Sequence, residues 1–143
     1  MTPSQTVIEE WLRKDRNPAP VAKLLGFQLT GFDEGVARIE MDADNRHHNP
    51  MGIVHGGVLC ELADAAMGVA IAGSLEEGES FVTIQLSASY LRSIREGRLV
   101  ATGRVLQKGR AAGHAEAEVT DAAGHLLARF SSTCLVTREA RAS

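Results

Sequence analysis

The sequence predicts an α+β fold in which a curled antiparallel sheet wraps one long central helix. Three observations carry this. Residues 56–73, "GGVLCELADAAMGVAIAG", read as a helix that is apolar on every side, and such a helix has to be enclosed by protein or lipid. Downstream, the segments 81–91, 98–108, 111–121 and 125–136 alternate apolar and polar residues, as half-buried strands do. Tight turns such as "DAAG" at 121–124 join them, which favours antiparallel neighbours. A single sheet covers only one side of the helix, so a second copy of the chain is the expected cover for the other.

Taken in order, residues 4–14 form an amphipathic helix with Val7, Ile8, Trp11 and Leu12 on one side. "NPAPVAKLLG" is a turn followed by a short helical segment that Gly26 ends. Strands over 27–32 and 36–42 are joined at "DEG", a hairpin signal. The central helix comes next. Strand 81–91 places Val82, Ile84, Leu86, Ala88 and Tyr90 on one face, with Thr83, Gln85, Ser87 and Ser89 on the other. Strand 111–121 sets Ala115, Ala117 and Val119 opposite His114, Glu116, Glu118 and Thr120. The last strand puts Leu126, Ala128, Phe130, Ser132, Cys134 and Val136 on one face.

At 143 residues the chain reads as one domain: an N-terminal helical segment over 1–25, a core over 26–137 and a tail over 138–143. Apolar and charged shares of 44% and 23% are those of ordinary globular proteins. A net charge of −3 argues against general nucleic-acid binding. Glu61 and Asp64 interrupt the most apolar stretch before it reaches the ~20 residues of a membrane span, so no membrane partner is expected. The opening "MTPSQTVIEEWLRKDRNP" carries acids and a Trp where a leader needs an oily run, making the cytoplasm the expected compartment. Cys60 and Cys134 lie far apart in apolar segments and are expected as buried free thiols.

The chemistry concentrates in residues 47–64. Gly56 and Gly57 stand where the central helix starts, and the first amides of a helix lack internal partners. Without side chains they admit a ligand closely, and with the helix dipole they suit an oxygen gaining negative charge. Asp64 lies eight residues after Gly56, inside the helix expected to be buried. An acid there has to face a polar cavity or a partner. Eight residues of helix rise about 12 Å. A reacting carbonyl must sit ~3 Å from both its oxyanion donor and its nucleophile or base. If Gly56 and Asp64 serve one substrate, they therefore come from different chains whose helices run antiparallel.

Asn49 and His55 flank the same turn, each able either to hydrogen-bond a substrate carbonyl or to shape the loop. His47, His48, His55 and Asp64 do not follow a recognised ligand spacing, and no metal is expected. Arg92, Arg95, Arg98, Arg104, Lys108 and Arg110 fall within nineteen residues opposed by Glu96 alone. They form either a solvated face or an anion site for a phosphorylated ligand.

"HNPMGIVHGGVLCELADAAMG" resembles the signature of the hotdog-fold acyl-coenzyme A thioesterases of the PaaI-like group, which includes one type of 4-hydroxybenzoyl-coenzyme A thioesterase. The likeness extends over roughly residues 22–137, through "FVTIQLSASYLRSIREG", "LVATGRVLQKGR" and "AEAEVTDAAGHLLARFSSTCLV". It implies a five- or six-stranded sheet around one helix, and dimers or tetramers in which the acid crosses the dimer interface. Asp64 matches the catalytic carboxylate, acting as nucleophile or as general base on water. Gly56 matches the residue whose amide polarises the thioester carbonyl. His55 and Asn49 match positions near the thioester, and Thr83 a hydroxyl that helps place the acid or its water. Arg92, Gly109 and Arg110 become candidates for the phosphates of coenzyme A, which arrives as part of the substrate, so no separate cofactor is implied. Ser93 departs from the proline of many relatives, and Gly68 from a hydroxyl residue found in some. The family's habit points to small aryl groups (phenylacetyl, benzoyl, hydroxybenzoyl), with Met67, Ile71 and Phe81 as candidates to shape the acyl pocket.

Two other readings are compatible with this frame: a non-catalytic acyl-coenzyme A binding module, and a hotdog dehydratase or thioesterase acting on acyl carrier protein. Against the dehydratase, the position that would hold its Glu is Leu62 and "HNPMG" is not its turn. Against the pure binder, Asp64 has no evident reason to sit in an apolar helix.

Overall fold

The computed structural model describes residues 1–139. Helix α1 spans Pro3–Leu12, with Thr2 as its N-cap and Gln5 completing a reciprocal capping box. Helix α2, Pro20–Leu25, ends where Gly26 takes a left-handed φ of 90°. Strands β1 (Phe27–Asp33) and β2 (Val36–Ala43) form the expected hairpin. Its two turn residues, Glu34 and Gly35, both have positive φ, as a two-residue turn matched to strand twist requires. Helix α3 (Gly56–Gly73) precedes strands β3 (Glu79–Tyr90), β4 (Gly97–Lys108), β5 (Ala112–Asp121) and β6 (Leu126–Arg138). Strand β6 thus runs one residue past the expected core boundary, and the tail residues 140–143 lie outside the described residues.

The six strands form one antiparallel sheet in the order β1-β2-β4-β5-β6-β3. By length and composition α3 could cross a membrane, but it lies on the concave face of the sheet. There Leu62, Ala63, Ala66, Met67 and Ala70 are sealed among Ile39, Met41, Leu99 and Val119. The approach is close because β4 carries Gly103 under the helix. A Cβ at Gly103 would stand 2.5 Å from the Ala66 carbonyl carbon, which is backbone and cannot turn aside. Gly103→Ala is therefore expected to cost about 1–3 kcal/mol of stability, the range for overpacking. Chemical denaturation would measure this, and an unchanged midpoint would mean that the helix can lift from the sheet freely.

Alternation in β5 is as expected, with Ala115, Ala117 and Val119 buried. Strand β3 departs from expectation. Thr83 pairs with Cys134 and Gln85 with Thr133, so Ile84 is an extra residue at a bulge. The single face expected from Val82 to Tyr90 is split there. Phe81 and Thr83 turn toward α3, Leu86 resumes the inward phase, and Val82 and Ile84 are left 50% and 61% exposed. Sequence alternation cannot show this slip, because Val82, Ile84 and Leu86 keep one apolar phase running straight through it. Strand β3 is also a sheet edge, with no further strand beside it among the described residues.

Candidate active site

The loop before α3 is built around its own polar side chains. Asn49 Oδ1 accepts from the Met51 N–H at 2.9 Å and, less closely, from Ile53 at 3.4 Å, which leaves the amide NH₂ of Asn49 as its donor. The three neighbouring histidines go to three places. His47 Nδ1 accepts from the Asp44 N–H while its Nε2 meets the Leu25 carbonyl, and His48 Nε2 meets the Arg95 carbonyl. His55 is the N-cap of α3: its Nδ1 accepts from the Gly57 N–H at 2.8 Å. Its contribution to the site is thus to fix the helix start.

That cap consumes the Gly57 amide and leaves the Gly56 N–H without a hydrogen-bond partner among the described residues. Tyr90, at the far end of β3, locks Gly56 in place. Its Oη donates to the Gly56 carbonyl at 2.9 Å, and its ring covers the glycine so closely that a Cβ would lie 3.0 Å from Cζ. Phe130 braces that ring edge-on at 5.9 Å. Gly56 lines a cavity of about 380 Å³ together with Asn49, Val54, Tyr90, Arg92 and Ile94. Tyr90 was not foreseen as a site residue, because the strand pattern indicates only that it faces inward.

Asp64 opens into a different cavity, of about 520 Å³, whose walls include Val7 and Trp11 of α1, Gly68 of α3, and Phe81 and Thr83 of β3. The two cavities share no lining residue. Asp64 is partly buried, and no cation pairs with it among the described residues. Burial pushes its carboxyl pKa up, and a long hydrogen bond of 3.5 Å from Thr83 Oγ1 partly opposes that. Burial also raises Glu61, with the charge of Asp64 adding to the effect. Because the Thr83 hydroxyl stabilises the ionised form, Thr83→Val is expected to move the Asp64 titration to higher pH. Side-chain carboxyl NMR would follow it, and a shift downward would contradict this hydrogen bond. Phe81 lines this cavity, whereas Met67 and Ile71 point into the core, 1% and 2% exposed.

The structure divides the basic stretch. Arg98 is paired with Glu40 and Asp42, Arg104 with Glu116, and Lys108 with Glu79. Arg92, Arg95 and Arg110 have no such carboxylate among the described residues. Arg92 stands at the Gly56 cavity, whereas Gly109 and Arg110 lie beside Glu76, Glu79, Lys108 and Arg138 at the opposite end of β3. Within that cluster the Glu79 side chain is 3% exposed and accepts from Lys108 at 2.6 Å and Arg138 at 2.7 Å, which holds its carboxyl below the usual range. Cys134 is buried and Cys60 only partly so, and both are free.

Residues 51–128, more than half of the chain, match the profile of the thioesterase superfamily. The chain belongs to that family. A curated relative from Haemophilus influenzae is 34% identical over 86 residues, 60% of this chain and 62% of its own length, so under two thirds of that protein is spanned. The 1,4-dihydroxy-2-naphthoyl-CoA hydrolase of Listeria monocytogenes is 27% identical over 115 residues, 80% of this chain and 94% of its own. The crystal structure of a Haemophilus influenzae thioesterase superposes with a TM-score of 0.81 at 26% identity, covering 87% of this chain and 89% of that one. The six-stranded sheet around α3 is accordingly the hotdog fold of this family.

Proposed function

We propose that the protein hydrolyses acyl-coenzyme A thioesters carrying small aryl acyl groups, releasing the free acid and coenzyme A, and that its minimal unit is a homodimer. The observation that carries this is Asp64: a carboxylate without a counter-cation among the described residues, its pKa raised by burial, at the edge of an apolar cavity. In this reading the thioester carbonyl oxygen takes a hydrogen bond from the Gly56 N–H, supported by the Asn49 amide. Asp64 of the other subunit then either attacks the carbonyl carbon or removes a proton from the water that does. In the first course an enzyme-bound anhydride forms, the thiolate leaves and takes up a proton, and water cleaves the anhydride. In the second, the water oxygen bonds to the carbonyl carbon and the same thiolate departs. No cofactor is needed in either.

Two features support the two-chain site. The Gly56 and Asp64 cavities are separate within one chain, and β3 offers an edge that is unpaired among the described residues. Antiparallel pairing of two β3 edges would set the Glu79 end of one strand beside the Tyr90 end of the other. That would bring Gly109 and Arg110 from one copy toward Arg92 of the next, reuniting the candidates for coenzyme A phosphates. The exposed outer face at Val82, Ile84 and Leu135 suits the joining of two dimers into a homotetramer. Aryl specificity is supported by the apolar cavity and by the aryl substrate in the name of the Listeria relative. We place the activity in the cytoplasm. Thiol release from a panel of aryl- and alkyl-coenzyme A thioesters is the test: turnover fastest on the aryl members is expected. Binding without turnover on any of them would leave a binding module instead.

A further inference from the structure

Four glycines lie in α3, and the packing accounts for three. A Cβ at Gly56 would press on Tyr90, one at Gly57 on the His55 ring at 3.0 Å, and one at Gly73 would strike the Phe32 ring. Gly68 is different. A Cβ there would make an ordinary contact of 3.6 Å with Phe81 Cζ, and its backbone is plainly helical. Glycine inside a helix is destabilising relative to alanine, so this position gives up stability for no steric reason. What its missing side chain provides is room, because Gly68 lines the Asp64 cavity. It sits one turn beyond Asp64, and residues four apart share a helix face. The space therefore lies directly behind the carboxylate.

Beyond Gly68 the cavity becomes aromatic. Trp11, Phe27 and Phe81 line it, three of the chain's six aromatic side chains (one Trp, one Tyr, four Phe), with Trp11 and Phe27 tilted at 6.4 Å. Helix α1 forms the roof, and it is fastened there: Gln28 Nε2 donates to the Trp11 carbonyl at 2.8 Å, and the capping box fixes the first turn. A volume of about 520 Å³ falls within the range of small-molecule pockets. We propose that this α1-roofed cavity takes the acyl group of the thioester, and that Gly68 is the specificity-determining residue that admits an aryl ring between Phe81 and Trp11. The proposal rests on the hydrolase reading above, but the cavity can be tested apart from it.

The test compares the full-length protein with Gly68→Leu and the milder Gly68→Ala, using acetyl-coenzyme A and phenylacetyl-coenzyme A. The ratio of kcat/KM for phenylacetyl over acetyl substrate is expected to fall at least ~10-fold in Gly68→Leu, as pocket-filling changes do, chiefly through KM. Gly68→Ala should lower the ratio less while raising the melting temperature, and it carries the test if the Leu variant does not fold. A ratio left unchanged, even with both activities reduced together, would overturn the proposal and leave the hydrolase reading standing. Trp11 is the chain's single tryptophan, so its fluorescence reports on the roof directly. If no thioester is turned over, a Trp11 response to phenylacetyl-coenzyme A that coenzyme A alone does not produce, and that Gly68→Leu removes, would uphold the cavity and sink the hydrolysis. No acyl-dependent response in the unmodified protein would overturn the cavity assignment.

Discussion

Asp64→Asn is expected to lower turnover of the best aryl thioester at least ~100-fold, the scale of a lost general base, and further if the carboxylate is the nucleophile. The same substitution is expected to raise the melting temperature at neutral pH. Burial lifts the folded-state pKa of Asp64 above its unfolded value, so the folded chain holds that proton more tightly than the unfolded chain does. Stability is then lost as pH rises from the ordinary aspartate range through the raised folded value, and above that window the ionised group imposes its full desolvation cost. Asparagine never ionises and escapes that cost. The gain in stability should therefore be absent at acid pH, where Asp64 is protonated in both states, and present at neutral pH. Paired thermal melts and thiol-release assays across pH would check this. An Asn variant that is both inactive and less stable at neutral pH would mean that Asp64 is a structural anchor, with its loss of activity a consequence of unfolding.

A carboxylate held at a cost was visible in the sequence, because an acid two turns into an all-apolar helix conflicts with every local rule for burial. The frame was equally legible. Alternation in β5 and β6, the positive-φ hairpin at Glu34 and Gly35, and the glycine stop at Gly26 each follow from short-range chemistry. What pattern could not supply was phase and tertiary placement. The bulge at Ile84 reverses the facing of the N-terminal half of β3, and no residue type marks it. Met67 and Ile71 were indistinguishable from cavity residues because α3 is apolar all round, so composition does not tell its sheet side from its open side. The roof over Asp64 depends on α1 crossing back onto α3, a contact between segments more than forty residues apart. The basic stretch looked like one patch in sequence. Its middle members are matched by acids from β2, β5 and β3 that only the sheet register brings alongside.

Mixing two inactive variants is expected to restore activity. Asp64→Asn removes the acid and keeps the Gly56 amide. Gly56→Ala keeps the acid but drives a Cβ to 3.0 Å from the Tyr90 ring, displacing the helix start and its free N–H. Losing one oxyanion donor costs about 10²–10³-fold in comparable sites. If each site takes its amide from one subunit and its acid from the other, a hybrid dimer contains one site with both groups intact and one with neither. Random exchange between equal amounts of the two variants makes half of the dimers hybrids. The mixture should then recover about a quarter of the unmodified activity by this symmetry count. A site completed within one chain gives the opposite result, since every subunit in the mixture lacks one group whatever its partner. Differently tagged subunits, with exchange demonstrated by co-purification before the assay, make the comparison decisive. Hybrids shown to form that remain inactive would eliminate the shared site. The roughly 12 Å of helix rise between Gly56 and Asp64 would then have to be bridged within one protomer, and the two separate cavities of the single chain would need another explanation.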